Sequence, residues 1–234
     1  MADNNETMIT KINRLKLVQL CEKDVNDVMQ YLMKHFIPNE PTARSIGMSS
    51  SDGWEMTEVT VRRCFKYPYS YALKNEDDEI VAIRLAAVKE RPKLNETMKY
   101  EVSNEQCENQ SEGITISTNE MERLLSTLES KIWHLVESST TKLLEFAILS
   151  THEKYVGHGL MHNLMMFDLM KQKSDGIQGG IGECTAYNSQ RLLAKLGFQV
   201  LYQINYNEWL DKDGKQIFKC DDGTNCAQLV YRLY

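Results

Sequence analysis

The stretch Glu145-Phe-Ala-Ile-Leu-Ser-Thr-His-Glu-Lys-Tyr-Val-Gly-His-Gly-Leu-Met161 decides how this chain folds. An apolar run with strand character, Leu143 to Leu149, ends in a polar turn carrying Gly157 and Gly159. A helix-patterned segment, Leu160 to Lys173, follows without a gap. A strand, a glycine turn and a helix start together offer several free backbone N–H groups to a phosphate. The two glycines let the main chain approach an anion with no side chain between.

Outward from this stretch, Leu15 to Leu20 alternates apolar and polar residues, as a half-buried strand does. Asp24 to Phe36 places Val25, Val28, Met29, Leu32 and Phe36 at helical spacing. Pro38 and Pro41 are expected to close that helix and stiffen a loop over 37–42. Tyr69–Leu73 and Ile80–Val88 read as a hairpin around 75–78, and the Ser-, Asn- and Glu-rich residues 101–118 as a mobile surface loop. Glu120 to Val136 reads as a helix, with Gly176 capping the later Leu160–Lys173 helix. Ile177–Cys184 is expected to be a strand and Ser189–Leu196 a short helix. Val200–Trp209 and Ala227–Tyr234 close the sheet, with Asp213-Gly214 as a turn between them.

At 234 residues the chain is long enough to bury a core without staples. A net charge of −6 argues against a nucleic-acid partner, which normally meets a basic stripe. Six scattered cysteines with no paired motif, and a polar first fifteen residues, lead us to expect reduced thiols, no secretory signal and a cytoplasmic location. No run is apolar for the ~18 residues a spanning helix needs, so no membrane partner is expected.

Four pieces, in order, resemble one family. They are Phe36-Ile-Pro-Asn-Glu40-Pro41; Ile148-Leu-Ser with Tyr155-Val-Gly-His-Gly159; Cys184-Thr-Ala-Tyr-Asn-Ser189 with Lys195-Leu-Gly-Phe198; and a tail carrying Trp209, Gly214 and Phe218-Lys219. Their order and spacing are similar to the GCN5-related N-acetyltransferase superfamily, and within it to the invertebrate arylalkylamine (dopamine-type) N-acetyltransferases. The resemblance implies an α/β (α+β) fold: a single GNAT-like domain over 13–234 behind a flexible 1–12. The expected mixed central sheet is flanked by helices in the order β-α-β-β-β-α-β-α-β-β. It also implies an acyltransferase that uses acetyl-CoA as co-substrate, with no metal, and acetylates a small primary amine. The runners-up are polyamine or amino-acid substrates, a longer acyl donor, or a silent acyl-CoA-binding domain.

The resemblance places acetyl-CoA against Leu149, Val156, Gly157, His158, Gly159, Leu160 and Met161. It assigns Glu40 as base, with Ser189 as acid and Thr185 as its helper. Bland roles are also open to the last two, a helix cap for Ser189 and a strand end for Thr185. Two departures stand out. The family turn is Arg/Gln-x-x-Gly-x-Gly/Ala. In the register preferred here Val156 takes the first place and Met161 the last, while a second register runs Lys154-x-x-Gly157-x-Gly159. Leu193 stands where many members carry a tyrosine acid.

The chemistry explains why a base is needed. An alkylammonium of pKa ~10.4 is neutral in roughly one molecule per thousand at pH 7, a deficit of about 4–5 kcal/mol. His158 and His162 have metal-like spacing, with His152 as a possible third ligand, but surface roles are expected. Met161, Met165, Met166 and Met170 read as core filler, and Tyr187, Tyr202 and Tyr206 as liners of an aromatic pocket.

Overall fold

The computed structural model describes residues 15–93 and 116–234. The expected flexible 1–12 and most of the expected 101–118 loop lie outside the described residues. Seven strands form one sheet in the order β1-β2-β3-β4-β5-β7-β6. They are β1 (Lys16–Gln19), β2 (Tyr71–Lys74), β3 (Ile80–Glu90), β4 (Lys142–Thr151), β5 (Gly179–Cys184), β6 (Gln199–Asn205) and β7 (Cys226–Leu233). Every pairing is antiparallel except β4 with β5.

Helices cover both faces. On one face lie α1 (Val25–Tyr31), α3 (Trp54–Phe65) and α4 (Ile116–Glu129). There Val28, Val61 and Cys64 pack on Ile83 and Leu85, while Leu124 and Leu128 pack on Leu143 and Ile181. Between these helices runs α2 (Pro41–Ser45), and α5 (Ile132–Leu135) follows α4. On the other face α6 (Leu160–Met166), α7 (Leu169–Ser174) and α8 (Tyr187–Lys195) bury Leu164, Met165 and Leu193.

Several boundaries differ from the sequence expectation for identifiable reasons. The helix expected over 24–36 passes at Leu32–Phe36 into a wider π turn. Pro41 does not end a helix but begins α2 at its first position, where a missing N–H costs nothing. The helix expected over 120–136 begins earlier, at Ile116, and breaks at Ser130-Lys131. Ser189 sits inside α8, two residues after its start at Tyr187, so it does not cap that helix; Ala186 does. The expected Leu160–Lys173 helix breaks at Phe167-Asp168, and Met170 is exposed rather than core.

That break serves a buried ion pair. Arg84, on β3, is fully buried, and its guanidinium meets Asp168 at 2.8 Å. It also donates to the carbonyls of Leu164 at 2.6 Å and Tyr69 at 3.0 Å. The group lies between the rings of Tyr71 and Phe146. One charge thus ties the centre of the sheet to the α6–α7 junction.

Glycines at the start of β5 answer to close packing. A Cβ on Gly179 would stand 2.6 Å from the Arg232 carbonyl oxygen, and one on Gly180 2.8 Å from the Phe146 ring.

Candidate active site

The two parallel strands separate early. β4 pairs with β5 only from Leu143↔Gly179 to Glu145↔Ile181, although β4 continues to Thr151. The register of β4 against β3 slips at Ala147, one residue too many, which bends β4 away from its neighbour. His152 donates its N–H to Val81, so even-numbered residues at this end of β4 turn their main chain toward β3. Leu149 therefore turns its N–H the other way, into the gap that β5 has left. A cleft of about 790 Å³ runs through this breach from one face of the sheet to the other.

On the face of α6 and α8, the glycine turn closes one arm of the cleft. Gly157 (φ +86°) and Gly159 (φ +74°) hold left-handed conformations, and α6 starts at Leu160. Among the described residues the N–H groups of Gly157, His158 and Gly159 find no backbone acceptor. Arg191 and Lys195 of α8 line the same cleft and supply positive charge. Val156 is exposed, and Met161, the second residue of α6, packs against two core clusters instead of standing in the turn.

On the other face Glu40 caps α2 and reaches Thr185, the residue after β5. Its Oε2 accepts from the Ala43 N–H at 2.6 Å and from the Thr42 hydroxyl, while Oε1 accepts from the Thr185 hydroxyl at 2.8 Å. Only 9% of Glu40 is exposed, and it lines the cleft. Thr185 is itself braced, because the buried Tyr206 donates its hydroxyl to the Thr185 carbonyl at 3.1 Å. Arg44 of α2 pairs with Asp221, tying the Glu40 segment to the turn before β7. Ser189 also lines the cleft and donates to the Ala186 carbonyl at 2.8 Å.

No family model matches the chain. Among solved structures, it is similar to arylalkylamine N-acetyltransferase 2 from Aedes aegypti, with a TM-score of 0.78 and 23% identity over 94% of this chain and 99% of that one. A Drosophila melanogaster polyamine N-acetyltransferase that forms N-acetylagmatine gives a TM-score of 0.74 at 19% identity, covering 94% of this chain and all of the other (100%). The C-terminal condensation domain of Ebony, in complex with β-alanyl-dopamine, gives 0.69 at 16% identity, covering 94% and 99%. The fold is that of the GCN5-related N-acetyltransferases.

Within this GNAT fold the sequence-expected groups divide cleanly. Glu40 and Thr185 touch, and Ser189, in the first turn of α8, lines the same cleft. Leu149, Val156, Gly157, Gly159, Leu160 and Met161 also line it, whereas His158 turns its Nδ1 back to the Tyr155 and Val156 carbonyls. Leu193 is buried in the core. The tyrosine expectation fails. Tyr187 and Tyr202 are exposed, Tyr206 is buried behind Thr185, and none of the three lines the cleft. Met48, Met56 and Met121 line it instead.

His152 belongs to a different group from the one its spacing suggested. It stacks on His35 with ring centroids 4.2 Å apart, and His35 contacts Glu153 at 3.2 Å. The Nδ1 of His152 accepts the Lys154 N–H at 3.1 Å, and burial pulls its pKa below the usual histidine value. This contact fastens the π turn, and hence the Glu40 segment, to the end of β4.

Sequence reading missed a charge cluster beside the breach. Arg63 of α3 forks onto Glu145 of β4, and Lys89 of β3 bridges Glu145 and Glu129 of α4. Lys89 and Arg63 hold the buried Glu145 carboxyl below its usual range against the opposing effect of burial. Glu145 lies inside the apolar run that defines β4, and only its inward register reveals a buried charge.

Proposed function

We propose that this chain is an acetyl-CoA-dependent N-acetyltransferase acting on a small primary amine, an arylalkylamine of the dopamine, serotonin or tyramine type. The observation that carries this is the Glu40–Thr185 contact at a breach where Leu149 turns its N–H away from β3 and into the gap left by β5. The fold alone does not name the reaction, since a condensation domain, that of Ebony, carries it as well.

The residues present fit a coenzyme A ester. Backbone N–H groups at 157–159, with Arg191 and Lys195 close by, suit a diphosphate. The geometry favours the register Lys154-x-x-Gly157-x-Gly159, because Gly157 and Gly159 are the left-handed residues and Met161 is already helical. When bound, the thioester supplies an activated acetyl group.

This chain's residues then do three things. Glu40 takes the proton from the incoming ammonium, directly or through water, leaving a nucleophilic nitrogen. The Leu149 N–H holds the oxyanion as nitrogen attacks the thioester carbonyl, an interaction typically worth ~3–4 kcal/mol. Ser189, with Thr185 beside it, relays the proton shed by the attacking nitrogen to the departing sulfur as the carbon–sulfur bond breaks. Cys184 is an unsuitable acyl carrier. It is buried, and burial pushes its thiol up to about 12, so almost no thiolate is present at neutral pH. Direct transfer is the consistent route.

The test is incubation with acetyl-CoA and a panel of tyramine, dopamine, tryptamine, serotonin, spermidine and amino acids, with products read by mass spectrometry. Acetylated arylalkylamines are expected. Products confined to spermidine would favour the polyamine reading, which the methionine lining and the carboxylates of the inner cleft also accommodate. No product at all would refute transferase activity.

Two substitutions probe the parts. Gly159→Ala should raise KM for acetyl-CoA several-fold and cost about 1–2 kcal/mol of stability. The new Cβ meets nothing within 4 Å, so the cost is the left-handed backbone alone. Ser189→Ala should lower kcat by ~10-fold or more while denaturant midpoints barely move, because Ala186 rather than Ser189 occupies the cap. Loss of stability with kcat intact would return Ser189 to a structural role.

A further inference from the structure

The cleft continues past Glu40 into a chamber between the sheet and the α3–α4 layer. Its roof is two helical stripes, Met56, Thr60 and Arg63 from α3 and Met121 and Leu125 from α4. Its floor includes Glu145, Ile148 and Glu183. Glu145 is the register partner of Ile181, so Glu183, two residues on, projects from the same face of the sheet.

The two carboxylates differ in one respect. Both oxygens of Glu145 are held by cations. Glu183, by contrast, makes no hydrogen bond or ion pair among the described residues, although it is largely enclosed and opens onto the chamber. An unpartnered carboxyl in a methionine-lined space is costly unless a ligand completes it.

Resting on the function proposed above, we propose that Glu183 is a specificity residue: it hydrogen-bonds a ring hydroxyl at the far end of the amine, favouring hydroxylated arylalkylamines over their unsubstituted counterparts. Two lines of geometry support this. Glu183 stands on β5 two residues before Thr185, a backbone rise of roughly 7 Å from the residue that marks the Glu40 end. That separation suits an ethylamine chain carried on a ring. Thioethers such as Met56 and Met121 favour contact with an aromatic edge.

The protonation of Glu183 also suits a neutral polar partner. Burial raises its pKa to about 8, helped by Glu145 of β4 and Glu129 of α4 and opposed by Lys89 of β3 and Arg63 of α3. At neutral pH the group is thus largely a carboxylic acid, able both to donate to and to accept from a phenol. A bound alkylammonium would have to ionise it first.

The experiment compares kcat/KM for tyramine, phenethylamine and 1,4-diaminobutane in the wild type, Glu183→Gln and Glu183→Ala. The wild type should prefer tyramine over phenethylamine by at least about tenfold, as sites built around a substrate hydroxyl do. Glu183→Ala should abolish that preference, and Glu183→Gln, which keeps a donor and an acceptor, should retain most of it. A wild type with no preference overturns the inference while leaving amine acetylation standing, and that measurement needs no variant to fold. A preference untouched in Glu183→Ala overturns it too. So does a wild type that favours the diamine and loses it in Glu183→Gln, which would make the far-end partner a cation. Failure to acetylate any amine removes the inference together with the function on which it rests.

Discussion

Glu40→Gln is expected to lower kcat/KM by 10²–10³-fold at pH 7 while leaving the melting temperature within a few degrees of the wild type. The separation of the two effects follows from the contacts. A glutamine carbonyl can still accept the Ala43 N–H, so α2 keeps its cap, and the amide can still meet the Thr185 hydroxyl. What disappears is an acceptor for the substrate's proton. Without it the reaction depends on the small fraction of amine already neutral in solution, which grows tenfold per pH unit up to ~10. The variant's rate should therefore keep climbing through alkaline pH where the wild type has levelled. An unchanged rate with an unchanged acidic limb would remove Glu40 from the chemistry. Glu40→Ala is the less informative change, because it also forfeits the cap at a cost of about 1 kcal/mol.

The largest stability effect should come from Asp168→Ala. This change leaves the fully buried Arg84 guanidinium facing no counter-charge, a situation that typically costs about 3–5 kcal/mol. For a domain of this size the melting temperature should drop on the order of 10 °C. The paired replacement Arg84→Met with Asp168→Leu should recover much of the loss, since it removes both charges at once. The fit is already incomplete: Arg84 Nε and Asp168 Oδ2 have no hydrogen-bond partner among the described residues. If Asp168→Ala melts with the wild type, the pair does not hold the α6–α7 junction.

Legibility in the sequence followed how local the signal was. The β4–turn–α6 unit was readable because an apolar run, two glycines and a helical pattern are contiguous. Glu40 entered only through the resemblance carried by Phe36-Ile-Pro-Asn-Glu40-Pro41, and the prolines there suggested a loop where Pro41 opens a helix. Helix α3 escaped notice because its buried stripe is Thr57, Val61 and Cys64, which is weakly apolar at helical spacing. Arg84 was hidden inside the apolar run of β3, where nothing local marks a buried charge. The tyrosines misled for the opposite reason. An aromatic ring suits a pocket, a core or a surface equally, and only topology sent Tyr206 behind Thr185 and left Tyr187 and Tyr202 outside. Glu183 needed the register of β5 before its surroundings could be known.

The parting of β4 from β5 has one more consequence. It makes a window in a wall, with the glycine turn on one side and the methionine chamber on the other, so two reactants can approach from opposite directions without sharing a door. Neither has to depart before its counterpart arrives. In the proposed reaction, a molecule so arranged has no need to store the acyl group on itself between visits.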